Sequence, residues 1–163
     1  MKNTYNNHLF NYKRRKSLSV SIGDSAIGGS NPIRIQSMTT SDTMDTNATV
    51  EESIRMINSG SEYIRITAPS INEAKNLRNI KKELSNKGYN IPLIADIHFT
   101  PNAAEIAAKI VEKVRINPGN YADKKSFKKI EYDDNSYNAE IESIYERVSP
   151  LIKICKSNGT AMR

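Results

Sequence analysis

Four short apolar runs, each followed by a stretch of helical period, constrain this chain more tightly than anything else in it. They occupy residues 33–38, 63–67, 92–97 and 113–117. Strand-length runs that alternate with helix-length patterns call for βα units and a parallel sheet. The punctuation between them agrees. Thr49 and Glu52 have capping-box spacing ahead of Val50, Ile54 and Ile57, and Gly60 stops that helix. Ser70 and Glu73 repeat the box before Ala74, Leu77, Ile80 and Leu84, with Gly88 as the stop. Thr100 followed by Pro101 is an N-cap with proline at the first helical position, ahead of Ala104, Ala107, Ile110 and Val111. After Gly119 the rhythm is lost to a charged connection from Asn120 to Asn138. A longer helix is predicted from about Ala139 to Ser157, ending near Asn158-Gly159, and Ala161-Met162-Arg163 opens a fifth strand. Upstream, Leu18, Val20 and Ile22 alternate before Gly23-Asp24, and Ala26-Ile27 precede Gly28-Gly29, which predicts a small β-hairpin.

The predicted class is therefore α/β: the N-terminal half of a TIM (β/α)8 barrel, preceded by a β-hairpin. Residues 1–30 form the N-terminal segment and hairpin, and residues 31–163 the first half of the barrel. A half barrel leaves its inner face unfilled and its outer strands unpaired. The expectation is that the sequence is the N-terminal part of a longer protein.

Chemistry is suggested by what each strand carries near its C-terminal end. Side chains alternate between faces of a strand, so Arg65 shares a face with Thr67, Asp96 with His98, and Arg115 with Asn117. Arg34 and Gln36 do the same in the first run. Polar groups on one face of buried strands are costly unless something polar meets them. In barrels the substrate sits at the C-terminal ends of the strands. Arg65, Arg115 and Arg163 are expected to converge on one mouth, with Asp96 the only evident inward carboxylate. Internal pairing, of Arg34 or Arg65 with Asp96, accounts for part of that charge. The remainder points to an anionic ligand, since the planar guanidinium fork suits phosphate oxygens.

Net charge is +6, yet aromatic residues do not interleave with the lysines and no nucleic-acid motif is present, so nucleic acid is not an expected partner. The basic clusters are Lys13-Arg14-Arg15-Lys16, Lys124-Lys125 and Lys128-Lys129. No apolar core of a secretory signal follows the first of them, and no run reaches membrane-spanning length. A cytoplasmic location without membrane contact is the expectation. The single cysteine, Cys155, excludes an internal disulfide framework and a self-contained cysteine-rich metal site. Its helical spacing with Ile144, Val148, Leu151 and Ile152 marks it as a small buried hydrophobe.

Taken in order, Arg14-Arg15-Lys16-Ser17, Pro32-Ile33-Arg34-Ile35-Gln36-Ser37-Met38-Thr39, Arg65-Ile66-Thr67, Ala95-Asp96-Ile97-His98-Phe99 and Arg115-Ile116-Asn117-Pro118-Gly119-Asn120 form a specific set. This set resembles the 4-hydroxy-3-methylbut-2-enyl diphosphate synthases of the methylerythritol phosphate pathway to isoprenoids. The stretch from Asn120 to Arg163 is similar to the larger variety of that family, which has an extra domain between barrel and cluster domain. The resemblance implies an N-terminal TIM barrel that binds 2-C-methyl-D-erythritol 2,4-cyclodiphosphate. It also implies a C-terminal domain whose three cysteines and a glutamate hold a 4Fe-4S cluster, ferredoxin or flavodoxin as electron donor, and room for a homodimer. The family's reaction opens the cyclic diphosphate reductively and removes a hydroxyl as water.

Carried over by position, Arg65, Arg115 and Arg163 match residues that grip the substrate diphosphate, and Asn117 lies beside the arginine in its motif. Asp96 and His98 match polar residues near that site and are the candidates for a catalytic role. The departure from the family lies in the metal: no cluster cysteine is present, so no metal ligand is expected in this chain. Cluster ligands are expected in the missing C-terminal part, and the fragment alone is expected to be inactive. Two other readings remain in play. One is a pterin-binding barrel resembling dihydropteroate synthase, whose mouth also uses Asp, Asn and Arg. The other is a non-enzymatic basic binding module with steeply salt-dependent RNA binding.

Overall fold

A computed structural model describes residue 10, residues 17–121 and residues 133–163. The predicted hairpin is present as β1 (Val20–Ile22) paired antiparallel with β2 (Ser25–Ile27), Val20 opposite Ile27. Gly28, directly after β2, has φ at +75°, and a Cβ there would lie 2.1 Å from the Leu18 carbonyl oxygen, so only glycine fits.

Five strands follow in one parallel sheet whose spatial order is the chain order: β3 (Gln36–Met38), β4 (Tyr63–Thr67), β5 (Leu93–Ile97), β6 (Lys113–Ile116) and β7 (Ala161–Met162). Between them lie α1 (Thr46–Asn58), α2 (Ile71–Asn86), α3 (Pro101–Ala107), the single turn α4 (Pro118–Tyr121) and α5 (Asp134–Asn158). Sequential parallel strands joined by helical crossovers are the architecture of a partial (β/α)8 barrel.

The two faces of the sheet are chemically distinct. Ile64, Ile66, Leu93, Ala95, Ile97 and Val114 point outward and are fully buried in the main core, with Leu77, Ile80 and Leu84 of α2 and the small Ala103, Ala104 and Ala107 of α3. Alanines on α3 let that helix lie close to the sheet. On the inner face, Ile22 of the hairpin is fully buried with Tyr63, Ile94 and Ala161. The hairpin thereby closes the N-terminal end of the inner face with an apolar plug. The Ser25 and Tyr63 hydroxyls share a 2.7 Å hydrogen bond that fixes it.

Three expectations need correction. The first strand spans three residues rather than 33–38. Ile33 is 94% exposed and Ile35 59% exposed, and the Ile35 N–H is taken by the Glu62 carboxylate at 2.9 Å. Arg34 is likewise drawn to Glu62, at 2.6 Å, so it braces the hairpin end of the sheet and does not reach Asp96.

The second correction concerns α1. Its N-cap is Asp45, whose side chain accepts from the Ala48 N–H at 3.0 Å, and the helix begins at Thr46 rather than behind Thr49. Thr49 is instead buried within the helix, its hydroxyl donating to the Asp42 carbonyl at 3.0 Å. Glu52 turns away to a different task, described below.

The third concerns α5, which starts at Asp134 rather than about Ala139. Asp133 and Ser136 form a capping box inside the charged stretch, and polar composition concealed a helix start. Along α5, Leu151 and Cys155 are buried as expected, while Ile152 faces outward at 46% exposure. The clusters Lys13–Lys16, Lys124-Lys125 and Lys128-Lys129 lie outside the described residues. The Ser70–Glu73 box and the Thr100-Pro101 start are present as predicted, except that the Thr100 hydroxyl donates to the Pro69 carbonyl, at 2.8 Å, rather than capping its own helix.

Candidate functional site

The parallel register places Asp96 directly beside Thr67 on one side and Arg115 on the other, all on the inner face near the C-terminal ends of the strands. Arg65 stands one repeat below, next to Ile94. Asp96 is completely buried and gathers the site: Arg65 Nη2 donates to its Oδ2 at 2.6 Å and Arg115 Nη1 to its Oδ1 at 3.0 Å. His98 Nε2 lies 3.2 Å from Oδ2 and 3.0 Å from Arg115 Nη1. Burial opposes the charge on Asp96, but the hydrogen bonds from Arg65, His98 and Arg115 outweigh it and hold the carboxyl below its ordinary range. Asp96 is an anion at neutral pH.

His98 Nε2 lies between a donor and an acceptor. Arg115 can only donate, so Nε2 accepts from it only as a bare nitrogen, whereas Asp96 can receive only from Nε2–H. The two contacts thus belong to opposite protonation states of one atom. With its side chain 40% exposed, His98 stands at the solvent side of the cluster.

Internal pairing does not consume the positive charge. Arg65, Lys113, Arg115 and Arg163 all lie on the inner face, against Asp96 as the one inward carboxylate these strands supply among the described residues. Arg65 spends Nη2 on Asp96 and leaves Nε buried with no hydrogen-bond partner among the described residues. Of the three arginines expected to converge, Arg65 and Arg115 meet on Asp96. Arg163 adjoins β6 through its backbone, its N–H donating to the Val114 carbonyl at 3.0 Å, and does not contact Asp96. Asn117 sits at the mouth end of β6, where its carbonyl accepts from Asn120 and Tyr121 and starts α4.

Two residues at this end of the sheet were not read from sequence as belonging there. Lys113 precedes Arg115 by two positions and shares its face, a signal that the apolar run around it obscured. Glu52 organises the β3–α1 loop at the same end of the sheet. Its carboxylate accepts from the backbone N–H groups of Thr40, at 3.0 and 3.1 Å, and of Ser41, at 2.9 Å, and from both hydroxyls.

Burial raises the Glu52 pKa, but the Ser41 and Thr40 bonds overcome this and bring it to about 2, from an ordinary 4.5. A depressed folded-state pKa means the contribution is complete above the unfolded value and is lost as pH falls toward the folded one. The Thr40 and Ser41 amide resonances should therefore stay in place through pH 4.5 and shift only as pH approaches about 2. In Glu52→Gln they should be displaced at neutral pH. An unchanged spectrum for the variant would contradict this role.

A parallel βα sheet with a cation-rich cluster at its strand C-termini is one wall of a protein of the TIM-barrel class. The chain belongs to the GcpE TIM-barrel domain family, whose model matches residues 17–163. It is similar to curated proteins named 4-hydroxy-3-methylbut-2-en-1-yl diphosphate synthase (flavodoxin). With that of Parabacteroides distasonis it is 59% identical over 155 residues, 94% of this chain and 25% of the relative. With that of Phocaeicola vulgatus it is 54% identical over 156 residues, covering 95% and 25% respectively. With that of Akkermansia muciniphila it is 49% identical over 163 residues, 100% of this chain and 28% of the relative. The chain thus spans about a quarter of the length of these relatives.

Proposed function

We propose that this chain forms one wall of the substrate site of a 4-hydroxy-3-methylbut-2-en-1-yl diphosphate synthase and holds the diphosphate of 2-C-methyl-D-erythritol 2,4-cyclodiphosphate. The observation that carries the reading is the surplus of inward cations around Asp96. Two guanidinium groups fixed by one buried carboxylate present their remaining N–H donors in set directions, which suits a ligand with several anionic oxygens. Arg65, Arg115, Arg163 and Asn117 are the proposed diphosphate ligands, with Asp96 and His98 beside the reacting end. The proposed location is the cytoplasm, and flavodoxin, carried in the names of the relatives, is the proposed electron donor.

A 4Fe-4S cluster does not fit the residues of this chain. Cys155 is buried against the outer layer of helices, away from the mouth, and burial raises its thiol pKa, the opposite of what a thiolate ligand needs. No group of three or more His, Cys, Asp or Glu side chains suited to a metal occurs among the described residues. The proposed role of this chain is binding and orientation, with cluster ligands proposed to lie outside it.

Titration calorimetry of the full-length protein with the cyclic diphosphate tests this. Saturable binding that inorganic pyrophosphate competes away is the expected result. Absence of binding, or binding that survives charge removal at both Arg65 and Arg115, would refute it.

A further inference from the structure

We propose that Lys113 is a further ligand of the anion site, its ammonium meeting a phosphoryl oxygen from the floor of the cup that Arg65 and Arg115 line. The inference rests on the diphosphate reading above and adds a residue to it.

The position of Lys113 leaves its charge one way to go. It stands in register between Ile94 on β5 and Ala161 on β7, so both lateral neighbours on its own level are apolar. Beneath that level the plug of Ile22 and Tyr63, packed with the same Ile94 and Ala161, closes the inner face. Toward the mouth, one strand repeat or roughly 6–7 Å further on, stand Arg115 and the backbone of Arg163. A four-carbon stem spans that distance, and the charges that act on the ammonium are those of Arg163 and Arg65.

No ion pair reaches the Lys113 ammonium among the described residues. Burial, then the like charges of Arg163 and Arg65, lower its pKa. A half-buried cation with cationic neighbours is costly unless an anion arrives. Arg65 and Arg115 already share Asp96, whereas the Lys113 ammonium has no counter-ion among the described residues. A ligand with two phosphoryl groups can engage both kinds of cation at once, one through the arginine forks and one through the ammonium point charge. A monocarboxylate cannot. Lys113 accordingly selects for multiply charged phosphate ligands.

The test uses the full-length protein with inorganic pyrophosphate as the probe, measuring affinity by calorimetry and thermal stability without ligand. Lys113→Met keeps the stem and removes the charge. It should weaken pyrophosphate binding about ten- to a hundredfold while leaving the ligand-free melting temperature equal or higher, because an unpaired buried cation has gone. If Arg115→Ala weakens binding but Lys113→Met does not, Lys113 lies outside the site and the assignment fails. A marked fall in ligand-free stability in both Lys113→Met and Lys113→Gln would make Lys113 an internal counter-ion instead, and would equally overturn it. Should the methionine variant not fold, Lys113→Gln, with a polar tip, decides between the same outcomes. Wild-type protein that binds no diphosphate would bring down the functional reading itself, and this assignment with it.

Discussion

Asp96→Ala is expected to destabilise the full-length protein by about 3–5 kcal/mol, the range for breaking a buried ion pair by removing one partner. The cause is specific to this cluster. Asp96 is completely buried and is the shared acceptor for Arg65 and Arg115, so its loss leaves two guanidinium groups facing each other with no carboxylate between them. Asp96→Asn keeps the shape and one acceptor oxygen but not the charge, and should fall between wild type and alanine. Because the folded-state pKa of Asp96 is lowered, its contribution is complete above the ordinary carboxylate range and is lost as pH falls below it. Denaturant titration of the three proteins checks the order, and the wild type should lose its advantage over Asp96→Asn on acidification. An Asp96→Ala protein as stable as wild type would mean that the arginines find other partners in the longer protein.

For Arg115 the expected loss is in affinity more than in stability. Arg115→Ala leaves Asp96 still paired with Arg65 at 2.6 Å, so the fold keeps its anchor. A ligand phosphate, by contrast, loses a donor whose direction is set by Asp96 and by the buried Val114 and Ile116 on either side. Truncation of a charged partner in a desolvated contact costs about 2–5 kcal/mol, or roughly thirty-fold to several-thousand-fold in affinity. Arg115→Lys retains the charge without the fork and should bind between the two. Calorimetry with the cyclic diphosphate, alongside denaturant melts without it, separates the roles. A variant that loses stability yet binds the cyclic diphosphate normally would show that Arg115 serves only as a counter-ion.

Much of this was legible from the chain alone, for reasons that particular residues make plain. Ser70 with Glu73 marks a helix start because both signals act within one turn, and the structure forms the box. Arg65, Asp96 and Arg115 could be assigned to one face because strand alternation is geometric and parallel strands keep register. Where local signals competed, the reading failed. Thr49 and Glu52 have capping-box spacing, yet Asp45 lies four residues earlier and caps first, releasing Glu52 to hold the Thr40–Ser41 loop. The helix start at Asp133 was hidden because acidic and amide residues are equally at home in a loop and in a first turn.

Periodicity, caps and alternation are properties of neighbouring residues, so the sequence by itself determined the βα order, the shared face of Arg65, Asp96 and Arg115, and the hairpin ahead of the sheet. Pairing partners are a property of distance across the fold. Only the tertiary structure decided that Arg34 goes to Glu62 while Arg65 and Arg115 share Asp96. It alone placed the hairpin's Ile22 beneath Tyr63, Ile94 and Ala161 as an apolar floor. That floor is what turns Lys113 from one basic residue among 24 into a cation with a single direction to face. A charge is costly or useful according to what surrounds it, and its surroundings come from segments far apart in the chain.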